Sequence, residues 1–310
     1  MEHIAVYGAG TIGSGQATLI IGHGLPCLLV GRSQAGLERC RSAIGQNWDD
    51  LIEEGLASPV NKRAAMSLLT LTRDPADLAG KTFIFEAVAE DLESKRQVFR
   101  AIARYAAPEA VIASCSSSID AEQLAALAER PENLLIAHPF QPVHLLPLVE
   151  LVRHGRTSGQ AADRASELLQ LLHRQVVMLN RSVPGFLVNR LAQALFRESI
   201  FLLEEGVASA ADIDRAVKYA MGMRYASVGL LEYYDDVGFQ LERAIAENVY
   251  PNLCGTKEVQ RTTLEGIAGG KTGRRAGRGL YDWSRKDEAD FCRRKQAPYF
   301  EGAREWTMPE

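Results

Sequence analysis

Apolar and polar positions follow two rhythms along this chain. In the first part, short and almost wholly apolar runs recur: Ile4–Tyr7, Cys27–Val30, Leu69–Leu71, Thr82–Phe85, Val111–Ala113 and Leu134–Ala137. Runs of this length read as strands buried on both faces, and the segments between them carry helical spacing. Between the first two runs, Ile12, Ala17, Leu19 and Ile20 recur at helical intervals up to Gly22. Residues 4–30 therefore predict strand, tight turn, helix and strand, a right-handed βαβ unit with parallel pairing. Repeated along the chain, the pattern predicts an open, doubly wound α/β sheet. The stretch from Ala35 to about Ser67 is periodic twice, broken at Gly55 and Pro59, which predicts a protruding helical hairpin. Beyond Pro184 strand signals nearly vanish and helices are expected over Phe186–Glu205, from Ser209 to about Met221, and from Leu230 to about Ala246. The expected division is an α/β domain over residues 1–183 and an all-helical domain over 184–310.

The first turn carries candidate chemistry. Gly8-x-Gly10-x-x-Gly13 follows a strand directly and opens a helix, the context of a dinucleotide-binding, Rossmann-type fold. Gly8 permits the tight turn, Gly10 removes a side chain where pyrophosphate would approach, and Gly13 allows close helix–strand packing. The helix N-terminus, at Thr11 and Ile12, would face the phosphate charge. At the end of the second strand, an NAD site usually offers a carboxylate to the ribose 2′-hydroxyl, but the residues here are Gly31-Arg32-Ser33. Arg32 could pair with a 2′-phosphate and Ser33 could donate to it, so NADP is expected over NAD; otherwise Arg32 is a solvent-facing residue opening a helix.

Composition narrows the class. The 310 residues carry 35 Lys+Arg against 39 Asp+Glu, a net charge of −4, which provides no basic field for nucleic acid or an anionic membrane. No apolar stretch approaches the roughly 20 residues of a membrane-spanning helix, and Met1-Glu2-His3 leads straight into a strand, leaving no secretory signal. Five scattered cysteines without C-x-x-C suggest neither disulfides nor zinc, and the six histidines lack metal-binding spacings. A soluble, cytoplasmic protein without a metal is expected.

Polar groups gather where open α/β sheets bind ligands, at the carboxyl ends of the later strands: Ser116-Ser117-Ser118, then His138, with Glu150 twelve residues on. A histidine within reach of a carboxylate can act as general base for a hydroxyl proton; alternatively His138 is structural. These residues carry a resemblance. GAGTIG, Glu86-Ala87-Val88-Ala89-Glu90 with Lys95, the serine turn, His138-Pro139-Phe140-Gln141-Pro142 leading to Leu148-Val149-Glu150, and Pro184-Gly185-Phe186-Leu187-Val188-Asn189-Arg190 resemble, in that order, the 3-hydroxyacyl-CoA dehydrogenase family. The resemblance implies Ser117 as substrate hydroxyl contact, His138 as general acid/base, Glu150 as its partner and Asn189 as a polar group from the helical domain. It also implies Glu90 and Lys95 near the nicotinamide half of the cofactor, and Arg275 where relatives place a cofactor-contacting Lys. It further implies a homodimer through the helical domain.

The chain departs from the family pattern at three places. Gly31 replaces the family's usual acidic residue, Gln141 stands where an Asn is usual, and the hairpin, Lys-rich in CoA-using relatives, is acidic from Gln46 to Gly55. The segment Met221–Ala226 is similar to the branch containing lambda-crystallin and L-gulonate 3-dehydrogenase, in which Arg224 could clamp a substrate carboxylate or form an interface ion pair. L-carnitine dehydrogenase has a similar histidine segment, and Tyr233-Tyr234 could face a quaternary ammonium or simply pack. The expected activity is hydride transfer between NADP(H) or NAD(H) and C3 of a small 3-hydroxy acid. The alternatives are a CoA thioester substrate and a catalytically retired, crystallin-like structural protein.

Overall fold

The computed structural model describes residues 2–306. Two compact units form, one of residues 2–187 with 292–306, the other Val188–Phe291. The first is built on an eight-stranded sheet of order β3-β2-β1-β4-β5-β6-β7-β8. Its strands are β1 Ile4–Tyr7, β2 Cys27–Val30, β3 Leu69–Thr72, β4 Phe83–Glu86, β5 Val111–Ser114, β6 Leu134–Pro139, β7 Leu148–Val152 and β8 Gln175–Leu179. Strands β1 to β6 pair in parallel, as their short apolar runs predict, with all of them buried along their length except the edge strand β3 and the end of β1. The last two break the rule: β7 runs antiparallel to β6, and β8 lies parallel to β7.

Helix α1, Thr11–Gly22, has almost no amphipathic character because Gly13 to Ile21 are all buried. The hairpin forms as α2, Gln34–Glu53, and α3, Pro59–Ser67, each capped by a serine, Ser33 and Ser58. It does not stand clear of the domain. Leu37, Cys40, Ile44, Trp48 and Leu51 bury one stripe of α2 in the same core as α1 and the sheet. Helices α4, Leu92–Tyr105, α5, Ala121–Ala125, and α6, Gly159–Leu171, complete the layers on the sheet.

The second unit is helical: α7 Val188–Glu204, α8 Ala210–Ala216, α9 Met223–Tyr225, α10 Leu230–Val237, α11 Phe239–Val249, α12 Arg261–Ala268 and the start of α13, Glu288–Trp306. A π-helical turn, Val217–Gly222, joins α8 to α9. The helix expected over 230–246 is two helices, because Gly238 adopts φ 90° between Val237 and Phe239. The division also differs from the expected 184–310 at its end. From Cys292 the chain returns to the first unit, where Phe300 and Ala303 join the core and Arg304 Nη2 donates to the Glu54 carbonyl at 2.9 Å. Phe300→Ala should therefore cost the first unit about 3 kcal/mol through the cavity it leaves. Urea unfolding measures this, and an unchanged midpoint would show that α13 contributes nothing to that core.

Candidate active site

The glycine loop has the geometry its residues predict. A Cβ on Gly8 would lie 2.2 Å from the Ala87 carbonyl oxygen, at a backbone φ of 131°, and one on Gly13 would lie 1.9 Å from the Gly8 oxygen. Both positions exclude any side chain. Gly10 is different: nothing lies within 4 Å of where its Cβ would be, so that side of the loop is open. The first turn of α1 has no capping side chain and no acidic residue, which leaves its amides available to a phosphate. The cradle fits a dinucleotide, with Gly8, Gly10, Thr11, Ile12 and Gly13 positioned to hold its pyrophosphate.

At the rim, Arg32 is exposed and has no ion-pair partner among the described residues. The Ser33 hydroxyl accepts from the Gly36 amide at 3.1 Å, so it caps α2 and keeps only its own proton to donate. At Gly31, a Cβ would meet Leu37 Cδ2 at 2.5 Å, a packing reason for the glycine that stands where a carboxylate is usual.

The candidate acid/base pair is made by strand register. His138 lies within β6, and the antiparallel ladder sets it directly opposite Glu150 of β7, so the two side chains share a face. His138 Nδ1 and Glu150 Oε2 are 2.8 Å apart, with Glu150 fully buried and His138 6% exposed. The other carboxylate oxygen, Oε1, accepts from the Leu187 amide at 2.9 Å. That amide is delivered by a turn in which Gly185 and Phe186 both have positive φ, 79° and 49°. The same turn places the Phe186 ring 5.5 Å from the imidazole, and Phe140 lies 4.7 Å away on its own edge. With Nδ1 held by the carboxylate, Nε2 is the nitrogen left for a substrate, and it makes no hydrogen bond among the described residues.

A second carboxylate gathers the serine loop after β5. Glu90 Oε1 accepts from the Ser116 hydroxyl at 2.7 Å, from the Ser117 and Ser118 amides at 2.9 Å each, and from the Ser118 hydroxyl at 3.0 Å. Burial alone would raise the Glu90 carboxyl, but the Ser116 hydroxyl, the Ser118 amide, the Lys95 ammonium and the Ser117 amide outweigh it and hold the pKa at about 2. The Ser117 hydroxyl makes no hydrogen bond among the described residues and stands exposed on the loop. Lys95, expected with the cofactor set, is 1% exposed, and its ammonium faces the Glu86 and Glu90 carboxylates. Cys115 offers no nucleophile: burial, then the nearby Glu86 carboxylate, push its thiol well above the usual range.

Gln141 is exposed on the loop between β6 and β7, in the same unit as the glycine and serine loops. The remaining expected residues belong to the second unit. Asn189 lies half-buried in the first turn of α7, and Arg275 is exposed on a short 3-10 turn, Arg274–Ala276. The Arg224 guanidinium stacks 4.3 Å over the Tyr233 ring, next to the π-helical turn. That face of Tyr233 is therefore occupied, which counts against a quaternary ammonium seated on it. Three groups at the site are not foreseen from the sequence: Glu86, Phe186 and the Leu187 amide. Glu86 has a visible signal, an acid ending an otherwise apolar strand. Among the described residues no cluster of three or more His, Cys, Asp or Glu could hold a metal ion, and no helix is long and apolar enough to cross a membrane.

Glu90 links this geometry to pH. Its folded pKa, about 2, lies below its ordinary 4.5, so the stability it contributes is present above pH 4.5 and is lost as pH falls toward 2. Glu90→Gln should lower stability at neutral pH and flatten its loss across that window. Urea melts at pH 7 and pH 3 test this; a variant that loses as much stability between them as the parent would contradict it.

Comparison with known proteins agrees with this geometry. Residues 3–182 match the family model described as 3-hydroxyacyl-CoA dehydrogenase, NAD binding domain, and residues 185–283 match the C-terminal domain of the same family. The chain is 35% identical to an L-carnitine dehydrogenase of Staphylococcus epidermidis over 226 residues, 73% of this chain and 69% of that one. It is 28% identical over 282 residues to a 5-formyl-3-hydroxy-2-methylpyridine 4-carboxylate 5-dehydrogenase of Mesorhizobium japonicum, 91% of this chain and 90% of that one. A solved structure of a 5-dehydrogenase for the same pyridine carboxylic acid, described as an NAD+-dependent dismutase, superposes with a TM-score of 0.88 at 26% identity, covering 100% of both chains. These relatives are named for carnitine and for a pyridine carboxylate, and they do not single out the lambda-crystallin and L-gulonate branch expected from Met221–Ala226. The chain belongs to the 3-hydroxyacyl-CoA dehydrogenase family of oxidoreductases.

Proposed function

We propose that this protein interconverts a small free 3-hydroxy acid and its 3-keto acid with a nicotinamide cofactor, and that NADP(H) is the preferred form. The observation that carries the reaction is the buried His138–Glu150 pair with Nε2 of the ring left free. His138 Nε2 takes the proton of the substrate hydroxyl as the C3–H bond breaks and the C3–O bond gains its double-bond character. Glu150 stabilises the imidazolium that forms and, through its contact with the Leu187 amide, keeps the ring in one orientation. Ser117 presents a hydroxyl free among the described residues to the substrate oxygen, and the Glu90 carboxylate ties the serine loop that carries it. The glycine loop, Arg32, Ser33 and Gln141 would hold the nicotinamide cofactor, which would supply the hydride acceptor or, in reverse, the donor.

The substrate class follows from local charge. The hairpin carries Asp49, Asp50, Glu53 and Glu54, and the Lys62 ammonium is already paired with Asp49 at 2.7 Å. A CoA phosphate brought to this acidic tip would face those carboxylates, although Arg39, Arg41 and Arg63 stand exposed elsewhere on the same two helices. Arg224, flattened on Tyr233 and unpaired among the described residues, is suited to a planar carboxylate. Relatives named for carnitine and for the pyridine carboxylate act on free carboxylates, which is compatible with this reading, while other solved relatives are named for the thioester 3-hydroxybutyryl-CoA. The second unit supports a homodimer: only Ile200 and Cys254 of its apolar residues are buried, Leu231 and Phe239 are 82% and 72% exposed, and α7 and α8 line a groove of about 510 Å³.

Turnover of free 3-hydroxy acids, carnitine included, against their CoA thioesters tests the substrate reading; faster turnover of a thioester would overturn it. For the cofactor, NADPH should bind more tightly than NADH, and Arg32→Ala should weaken NADPH alone, by about tenfold for one lost charge-assisted contact. Equal affinities in the unaltered protein would remove the NADP(H) preference.

A further inference from the structure

Glu86 takes no part in the proton or hydride transfer, yet its carboxylate is fully buried and bonded at both oxygens. It ends β4, Phe83–Glu86, a strand with every residue buried, and its own exposure is 0%. Oε1 accepts from the Val88 amide and from Lys95 Nζ, both at 2.9 Å; Oε2 accepts from Lys95 Nζ at 2.8 Å and from the Ser114 hydroxyl at 2.5 Å. Burying two charges this deeply is a poor way to gain stability, because desolvation offsets most of the attraction and an apolar pair would serve as well. Its value lies in what it holds in place.

Two loops lean on the pair from opposite sides. On one side the glycine loop packs against the peptide that Glu86 fixes, since the Gly8 Cα stands so close to the Ala87 carbonyl that no Cβ fits between them. The Ala87 amide donates to Tyr7, and the Val88 amide to Glu86, so this wall is tied at both ends. On the other side Lys95 Nζ reaches Glu90 Oε2 at 3.4 Å, and Glu90 Oε1 organises Ser116, Ser117 and Ser118. The Cys115 amide, at the root of that loop, donates to the Glu86 carbonyl at 2.8 Å. Sheet register explains the meeting point: Glu86 of β4 is paired with Ser114 of β5, so one carboxylate spans two adjacent strand ends.

We propose that Glu86 and Lys95 are a positioning pair that fixes the wall of the glycine loop and the serine loop as one unit, so that cofactor affinity and the placement of Ser117 both depend on it. This rests on the reading that the glycine loop holds the cofactor and Ser117 meets the substrate, but its test does not require turnover. Glu86→Gln leaves the buried Lys95 ammonium with only the more distant Glu90 carboxylate, at 3.4 Å, and should destabilise the fold. The double variant Glu86→Gln/Lys95→Met removes both charges and should recover the melting temperature.

If the pair positions the loops, that recovery is incomplete in function. The double variant should bind NADH or NADPH about tenfold more weakly than the parent, and its amides over residues 115–119 should exchange hydrogen faster. Recovery of parental cofactor affinity and exchange together with melting temperature would overturn the proposal, leaving the pair a purely stabilising one. Should the double variant fail to fold, Ser114→Ala, which deletes one bond and no charge, decides in the same way by the same two readouts. A protein that oxidises no hydroxy acid would instead sink the proposed reaction and leave these binding and exchange results standing.

Discussion

The site depends on the reversal of strand direction between β6 and β7. If β7 continued the parallel order, an acid twelve residues after His138 could not return to face it. The antiparallel ladder makes the two residues a cross-strand pair, with side chains on one face at 2.8 Å. A slip of one residue would turn Glu150 to the opposite face and leave the buried imidazole without its carboxylate. The turn before α7 then closes the arrangement, bringing a ring against His138 and an amide to Glu150 from the same three residues.

Much of this is legible in the sequence because it is written in short-range patterns. Six apolar runs predict six parallel strands, and the glycine spacing predicts a cradle in which Gly8 and Gly13 are obligatory because a Cβ there would fall 2.2 and 1.9 Å from backbone oxygens. Less legible is whatever depends on long-range contacts. The direction of β7 has no local signature, since Leu148–Val152 is as apolar as its parallel neighbours. The return of α13 to the first unit rests on Phe300 and Ala303, with Tyr299 packed beside them, in a helix whose charged residues obscure that stripe. The hairpin looks free-standing in sequence because its charges are obvious, while the stripe from Leu37 to Leu51 packs it onto the core.

Charge in the first unit is placed rather than abundant. Glu150 orients a histidine, Glu90 holds a loop, and Glu86 with Lys95 joins that loop to the glycine cradle; each carboxylate is met by groups from more than one segment. Bonds made within the protein position these groups, which suits a reaction whose geometry must align a proton acceptor and a hydride acceptor on one carbon. The second unit has a different character, with few buried residues and large apolar surfaces.

Everything in the proposed reaction turns on His138 moving the substrate's proton. The rate of nicotinamide reduction by the parent and by His138→Gln, with cofactor affinity determined on the same samples, measures that role. A loss of at least about 100-fold in rate at unchanged cofactor affinity is expected. A His138→Gln enzyme that turns over at the parental rate, or one that loses rate only because the cofactor no longer binds, would contradict it.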